Sequence, residues 1–171
     1  MFLVDANVLV YAANHRAPEH ATCRELLRRW RTESRPWCTT WGILYEFLRV
    51  ATHPRVMQRP WTMNDAVGLV RGMLASPGLA VLEHTARHEA LLSETLAELP
   101  EVRGSQAHDL HTAVLMREHG IRRIVTRDTG FQRFPFLEVV DPITDTDHDV
   151  VRERPSAAAA KRTGRRKAVR Y

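Results

Sequence analysis

Short apolar runs alternate with longer amphipathic stretches along this chain, and that alternation restricts the folds open to it more than any other feature. Phe2-Leu3-Val4, Trp37-Cys38-Thr39, residues 79–82, Ile124-Val125-Thr126 and residues 137–140 have the length and composition of buried strands. Between them the apolar residues take a helical period. Cys23, Leu26, Leu27 and Trp30 recur every three or four residues between Glu19 and Arg31, and Ile43, Leu44, Phe47 and Leu48 do the same after Thr39 or Thr40, either of which can cap a helix. A further helical stretch starts at Val8. Thr62-Met63-Asn64-Asp65 reads as a capping box with Asp in place of Glu, opening a helix through Leu74. Helices are also expected over residues 86–99 and 106–119, with Gly120 as the cap of the second. Strands joined by helices predict an α/β fold with a mostly parallel central sheet of four to five strands and helices on both faces. The 171 residues suit one such domain and are short for two.

Composition matters here for what it excludes. With 44% hydrophobic and 26% charged residues the chain matches soluble globular proteins rather than disordered or membrane chains. The apolar opening is broken by Asp5 and has no basic leader, so neither a signal peptide nor a membrane span is expected, and a cytoplasmic protein is. Cys23 and Cys38 are then expected to be reduced and to carry no chemistry. The net charge of +5 is a property of the C-terminus: residues 155–171 hold Lys161, Arg162, Arg165, Arg166, Lys167 and Arg170 and no acid. The remaining 19 basic residues stand against 20 acidic ones, so charge alone does not make the folded part a nucleic-acid binder. Residues 1–142 read as the domain, and residues 143–171 as an acidic linker followed by a basic, disordered tail that either holds RNA or is simply solvated.

Four acids fall where a parallel α/β fold gathers functional side chains. Asp5 ends the first strand, Asp128 follows the fourth, Asp109 lies in the first turn of a helix, and Glu46 is in the second turn of another. Any one of them alone is as readily a cap, a turn residue or a solvated side chain. Together they would repel one another unless a cation were present, and an all-oxygen set favours Mg²⁺ or Mn²⁺ over zinc. Such a cation activates a bound water and neutralises charge on a phosphodiester. Asn7 and Thr126, each two residues from an acid, are placed to support the carboxylates by hydrogen bonding.

These segments carry a resemblance. Phe2-Leu3-Val4-Asp5-Ala6-Asn7-Val8-Leu9, residues 41–50 around Glu46, Ala107-His108-Asp109-Leu110-His111-Thr112-Ala113 and Thr126-Arg127-Asp128-Thr129-Gly130-Phe131, in this order, resemble the PIN domain, specifically the VapC toxins of toxin–antitoxin pairs. The resemblance covers roughly residues 1–142. It implies a three-layer α/β/α fold and a Mg²⁺- or Mn²⁺-dependent endoribonuclease leaving 5′-phosphate and 3′-hydroxyl ends. It also implies a homodimer and a cognate antitoxin with an extended segment in the active groove. Asp5, Glu46, Asp109 and Asp128 match the family's acidic quartet and metal ligands, and Asn7 and Thr126 its polar supports. Ala6 departs from the pattern, standing where Ser or Thr is frequent.

Competing patterns are weaker. A phosphate-accepting aspartate domain implies a lysine near the phosphate, and both lysines, Lys161 and Lys167, are in the tail. A non-catalytic RNA-binding module of the same fold would not need a complete acidic quartet. His84 and His88, four apart, and His108 and His111, three apart, lack a third ligand at zinc spacing, although His108 is placed to touch substrate. Asp145, Asp147 and Asp149 imitate a calcium loop, but Val150 and Ser156 stand where it needs Gly and Glu. Of the tryptophans, Trp30 and Trp37 are expected in the core or an interface, while Trp41 and Trp61 are candidates for stacking on bases.

Overall fold

The computed structural model describes residues 1–145. Five strands, β1 (Leu3–Val4), β2 (Trp37–Thr40), β3 (Leu79–Leu82), β4 (Arg123–Val125) and β5 (Glu138–Val140), form one sheet in the order β3-β2-β1-β4-β5. Every neighbouring pair is parallel. Six helices connect them: α1 (Ala6–Ala13), α2 (His20–Thr32), α3 (Trp41–Ala51), α4 (Met63–Leu74), α5 (His88–Glu98) and α6 (Ala107–Glu118). The chain steps outward from β1 to β2 to β3, then crosses back over β1 to reach β4. Right-handed crossovers in opposite directions put their helices on opposite faces of the sheet. Accordingly α1 packs on α2 and α3, and α3 on α4, while α5 packs on α6.

β1 is only two residues long, yet it is the centre of the molecule. Leu3 lies opposite Cys38 on one side and Ile124 on the other, and Val4 is paired with Val125. Residues buried on both faces form a continuous apolar run, as a central parallel strand requires. Trp30 and Trp37 join this core, their rings 6.1 Å apart. Cys23 and Cys38 are buried and unpaired, as expected, and burial pushes both thiols up to about 12, which leaves them inert.

The caps fix where each helix leaves the sheet. The Asp5 carboxylate accepts from the Ala6 amide at 2.7 Å, so α1 starts directly after β1 rather than at Val8. Thr40 rather than Thr39 caps α3, its hydroxyl accepting from the Ile43 amide at 3.1 Å. Thr62 caps α4, but Asp65 is too short to complete a capping box and takes the Thr62 hydroxyl instead, at 2.6 Å. Gly120, at φ +67°, ends α6 in the left-handed conformation. Two single 3-10 turns, Gly104–Gln106 and Thr129–Arg133, were not foreseen from the sequence; the second begins at Asp128. The described part of the linker is not free: the Asp145 carboxylate accepts from the Asp141 amide at 3.0 Å. Asp147, Asp149 and the basic tail, with the expectations attached to them, lie outside the described residues. No described helix is long and apolar enough to cross a membrane.

Candidate active site

Strand order reverses between β1 and β4, and the carboxyl ends of those two strands open the crevice in which parallel α/β sheets place ligands. Asp5 leaves β1 and Thr126 leaves β4 side by side. The Thr126 hydroxyl donates to Asp5 Oδ2 at 2.7 Å. Asn7, in the first turn of α1, donates through its side-chain amide to Asp5 Oδ2 at 2.7 Å and to Thr126 Oγ1 at 2.6 Å. Thr126 Oγ1 also accepts from the Asp128 amide at 2.9 Å. The buried Asp5 carboxylate is thus well supplied with donors: Ala6, Asn7 and Thr126 all donate to it. Asn7 and Thr126, expected to hydrogen-bond to the carboxylates, both contact Asp5 Oδ2.

Three of the four acids, Asp5, Glu46 and Asp109, line one small pocket with His108 and His111. Asp128 flanks it. The backbone of Gly130 packs between Asp128 and Asp109, so that a Cβ there would sit 2.8 Å from Asp128 Oδ1 and 3.4 Å from Asp109 Oδ2. The Gly130 amide in turn donates to Asp128 Oδ1 at 2.7 Å, fixing the carboxylate as the cap of the 3-10 turn.

The electrostatics follow from this crowding. Burial pushes Asp5 up to about 6 despite its hydrogen bonds, and the charges of Glu46 and Asp128 add to the effect. Asp109 is raised as well, by burial first and then by Asp128 and Glu46, with Arg133 and His108 opposing. Acids that raise one another in this way suit a hard divalent cation, which reverses the sign of the local field. Among the described residues no three His, Cys, Asp or Glu side chains close on one ion-sized point. Glu46 is half exposed, with Arg49 3.6 Å away. What fits a hard divalent cation is the chemistry of the set, carboxylate oxygens that raise one another's affinity for protons.

Some participants escaped the sequence. Arg133 is held by the Gly130 carbonyl at 2.6 Å and brings a positive charge to Asp109. His88 of α5 packs against His84, its neighbour at helical spacing, with ring centroids 5.9 Å apart, and also across the helices against His111 of α6, at 5.5 Å. Sequence periodicity carries no signal for such a cross-helix contact. Of the remaining tryptophans, Trp61 packs edge-on against Phe47, while Trp41 is 45% exposed beside Tyr45 at 67%.

With this geometry in place, comparison with known proteins is informative. The PIN domain family model matches residues 2–137. Ribonuclease VapC43 of Mycobacterium tuberculosis is 32% identical over 148 residues, covering 86% of this chain and 99% of that protein. Ribonuclease VapC48 of the same species is 27% identical over 140 residues, covering 82% and 96%. Among solved structures, Mycobacterium tuberculosis VapC20, described as a sarcin-ricin loop cleaving toxin, superposes with a TM-score of 0.59 at 22% identity, covering 82% of this chain and all of that one. VapBC2 from Rickettsia felis, bound to a DNA fragment from its promoter, gives 0.55 at 18% identity, covering 81% and 96%. The three-layer α/β/α architecture, the acids at the switch point of the sheet and a match along most of the chain agree: this protein belongs to the PIN-domain family, among its VapC ribonucleases.

Proposed function

We propose that the protein is the toxin of a toxin–antitoxin pair, a Mg²⁺- or Mn²⁺-dependent endoribonuclease that hydrolyses RNA phosphodiesters at the pocket between β1 and β4. The observation that carries this reading is the convergence of Asp5, Glu46 and Asp109 on one pocket, with Asp128 against its rim. Asp5, Asp109, Glu46 and Asp128 would hold the cation. When bound, it would polarise a water toward hydroxide and offset charge on the phosphate. The chain's own residues do the rest. Asn7 and Thr126 hold Asp5 in one rotamer, and the 3-10 turn capped by Asp128 keeps that carboxylate facing Asp109. Carboxylates gathered to hold a cation leave a bound water as the nucleophile in this reading.

A cognate antitoxin as partner is supported by the VapBC complex named above; a homodimer and a cytoplasmic location belong to the same proposal and rest on the sequence reading. The activity is tested by incubating purified, partner-free protein with a pool of cellular RNAs, with Mg²⁺ or Mn²⁺ and with chelator. Discrete fragments that require the metal support the reading. Intact RNA under every condition, from folded protein, moves the assignment to a non-catalytic RNA-binding module of the same fold.

A further inference from the structure

Eight of the histidines lie in the described residues, and most are spoken for. His15 bonds to His20, His20 also to the Tyr11 carbonyl, His53 to the Arg55 amide, His88 to Glu118 and His119 to the Glu83 carbonyl. His84, His108 and His111 have no hydrogen-bond partner among the described residues. Two of these three, His108 and His111, line the carboxylate pocket. An imidazole without a protein partner in a pocket of acids has its N–H free for a ligand.

The pocket's chemistry says which ligand group that is. A phosphodiester entering beside Asp5, Glu46 and Asp109 meets mainly acceptors, which cannot hydrogen-bond to its oxygens. Thr112, the other hydroxyl or N–H side chain of the lining, is buried, which leaves His108 and His111 as the side-chain donors in the wall. Only His111 is braced. His88 packs edge-on against it, with rings at 77° and centroids 5.5 Å apart, and His88 is itself fixed by Nδ1 at 2.9 Å from Glu118 Oε2. Glu118 is anchored in turn by the Thr85 amide at 2.6 Å and the Thr85 hydroxyl. On the other side His111 Nδ1 faces the backbone of Gly42, where a Cβ would stand in ordinary van der Waals contact at 3.8 Å. His111 is thus held from behind while it remains exposed in the pocket wall.

We infer that His111 is a substrate-contacting residue that donates a hydrogen bond to a phosphate oxygen of the bound RNA, and that His88 and Glu118 are positioning residues that act through it. This rests on the ribonuclease reading above and adds a role to it. Donors preorganised on a reacting phosphate act mainly on the chemical step.

The test is single-turnover and steady-state cleavage of an RNA from the cellular pool by H111A, H111Q, H88A and the H88A/H111A double variant, with thermal melting of each. H111A is expected to lower kcat about 100-fold with a smaller change in KM, and H111Q, which keeps an N–H donor, to recover part of that loss. H88A should lower kcat less, and the double variant should be no slower than H111A, because His88 acts through His111. Wild-type kcat in H111A, with Asp5→Asn inactive, would overturn this inference and leave the nuclease reading standing. The same holds for effects of H88A and H111A that multiply, or for losses confined to melting temperature. A wild-type protein that cleaves no RNA would overturn both.

Discussion

Asp5 carries two duties that pull on its charge in opposite directions. As the cap of α1 it benefits from ionisation, through the helix dipole and the Ala6 amide; as a buried neighbour of Glu46 and Asp128 it resists ionisation. Asn fills the capping duty about as well as Asp but cannot supply the negative charge. Asp5→Asn is therefore expected to keep the fold, with a melting shift of a few degrees at most, and to lose RNA cleavage by about 100-fold or more. Thr126 is the opposite case. Its hydroxyl donates to Asp5 and accepts from Asn7 and from the Asp128 amide, so Thr126→Val takes a donor from buried Asp5 and leaves the Asp128 amide without its acceptor. A loss of about 1–3 kcal/mol in urea unfolding is expected, with cleavage falling as well; unchanged stability would contradict the network. At this scale the acids were legible because strand ends and helix starts locate them. Their supports were legible only as spacing, since which atom bonds to which depends on β1 and β4 meeting across 121 residues.

At the scale of elements, close approaches decide more than propensities do. The turn after α4 passes so near the end of the α2–β2 connection that a Cβ on Gly78 would fall inside contact distance of the Arg35 carbonyl oxygen and 3.2 Å from that of Glu33. Gly78→Ala must move backbone and is expected to cost on the order of 1–3 kcal/mol, read as a lower urea midpoint with unchanged slope. The start of α5 is tied to α6 by Glu118. Burial opposes ionisation of that carboxyl, but the hydrogen bonds from Thr85 and His88 outweigh it and hold its pKa at about 2. A depressed carboxyl stabilises the folded state above its ordinary value of 4.5, and the contribution disappears as pH falls toward 2. Glu118→Gln should therefore flatten the loss of stability between pH 4.5 and 2; an acid limb identical to wild type would show that the ties to Thr85 and His88 are absent in solution. The elements themselves were largely readable from apolar period and caps. The 3-10 turn at Thr129–Arg133 was not, because its cause is a side-chain cap at Asp128 and the packing of Phe131 and Phe134, neither of which leaves a periodic pattern in five residues.

Over the whole molecule, the position of the site follows from the strand order. A chain that builds β1, β2 and β3 outward and then returns to β4 leaves its switch point beside β1, which ends at Asp5 in the pocket wall, while β4 ends at Thr126, which bonds to Asp5. Alternation of strands and helices implies parallel strands but not their order, which rests on how the crossovers pack. The basic residues of 155–171 are separate from this arrangement in sequence. A chain ending at Asp149 is expected to cleave as fast at saturating RNA, while the dependence of RNA affinity on salt becomes shallower; an equal slope would show that the tail does not touch RNA. The central claim is that the carboxylates at the switch point are a hydrolytic site, and it is tested most directly by quantifying RNA cleavage for wild type, Asp5→Asn and Asp109→Asn side by side in Mg²⁺ or Mn²⁺. Metal-dependent cleavage by wild type and none by either folded variant is the predicted result; full activity in both variants would contradict it.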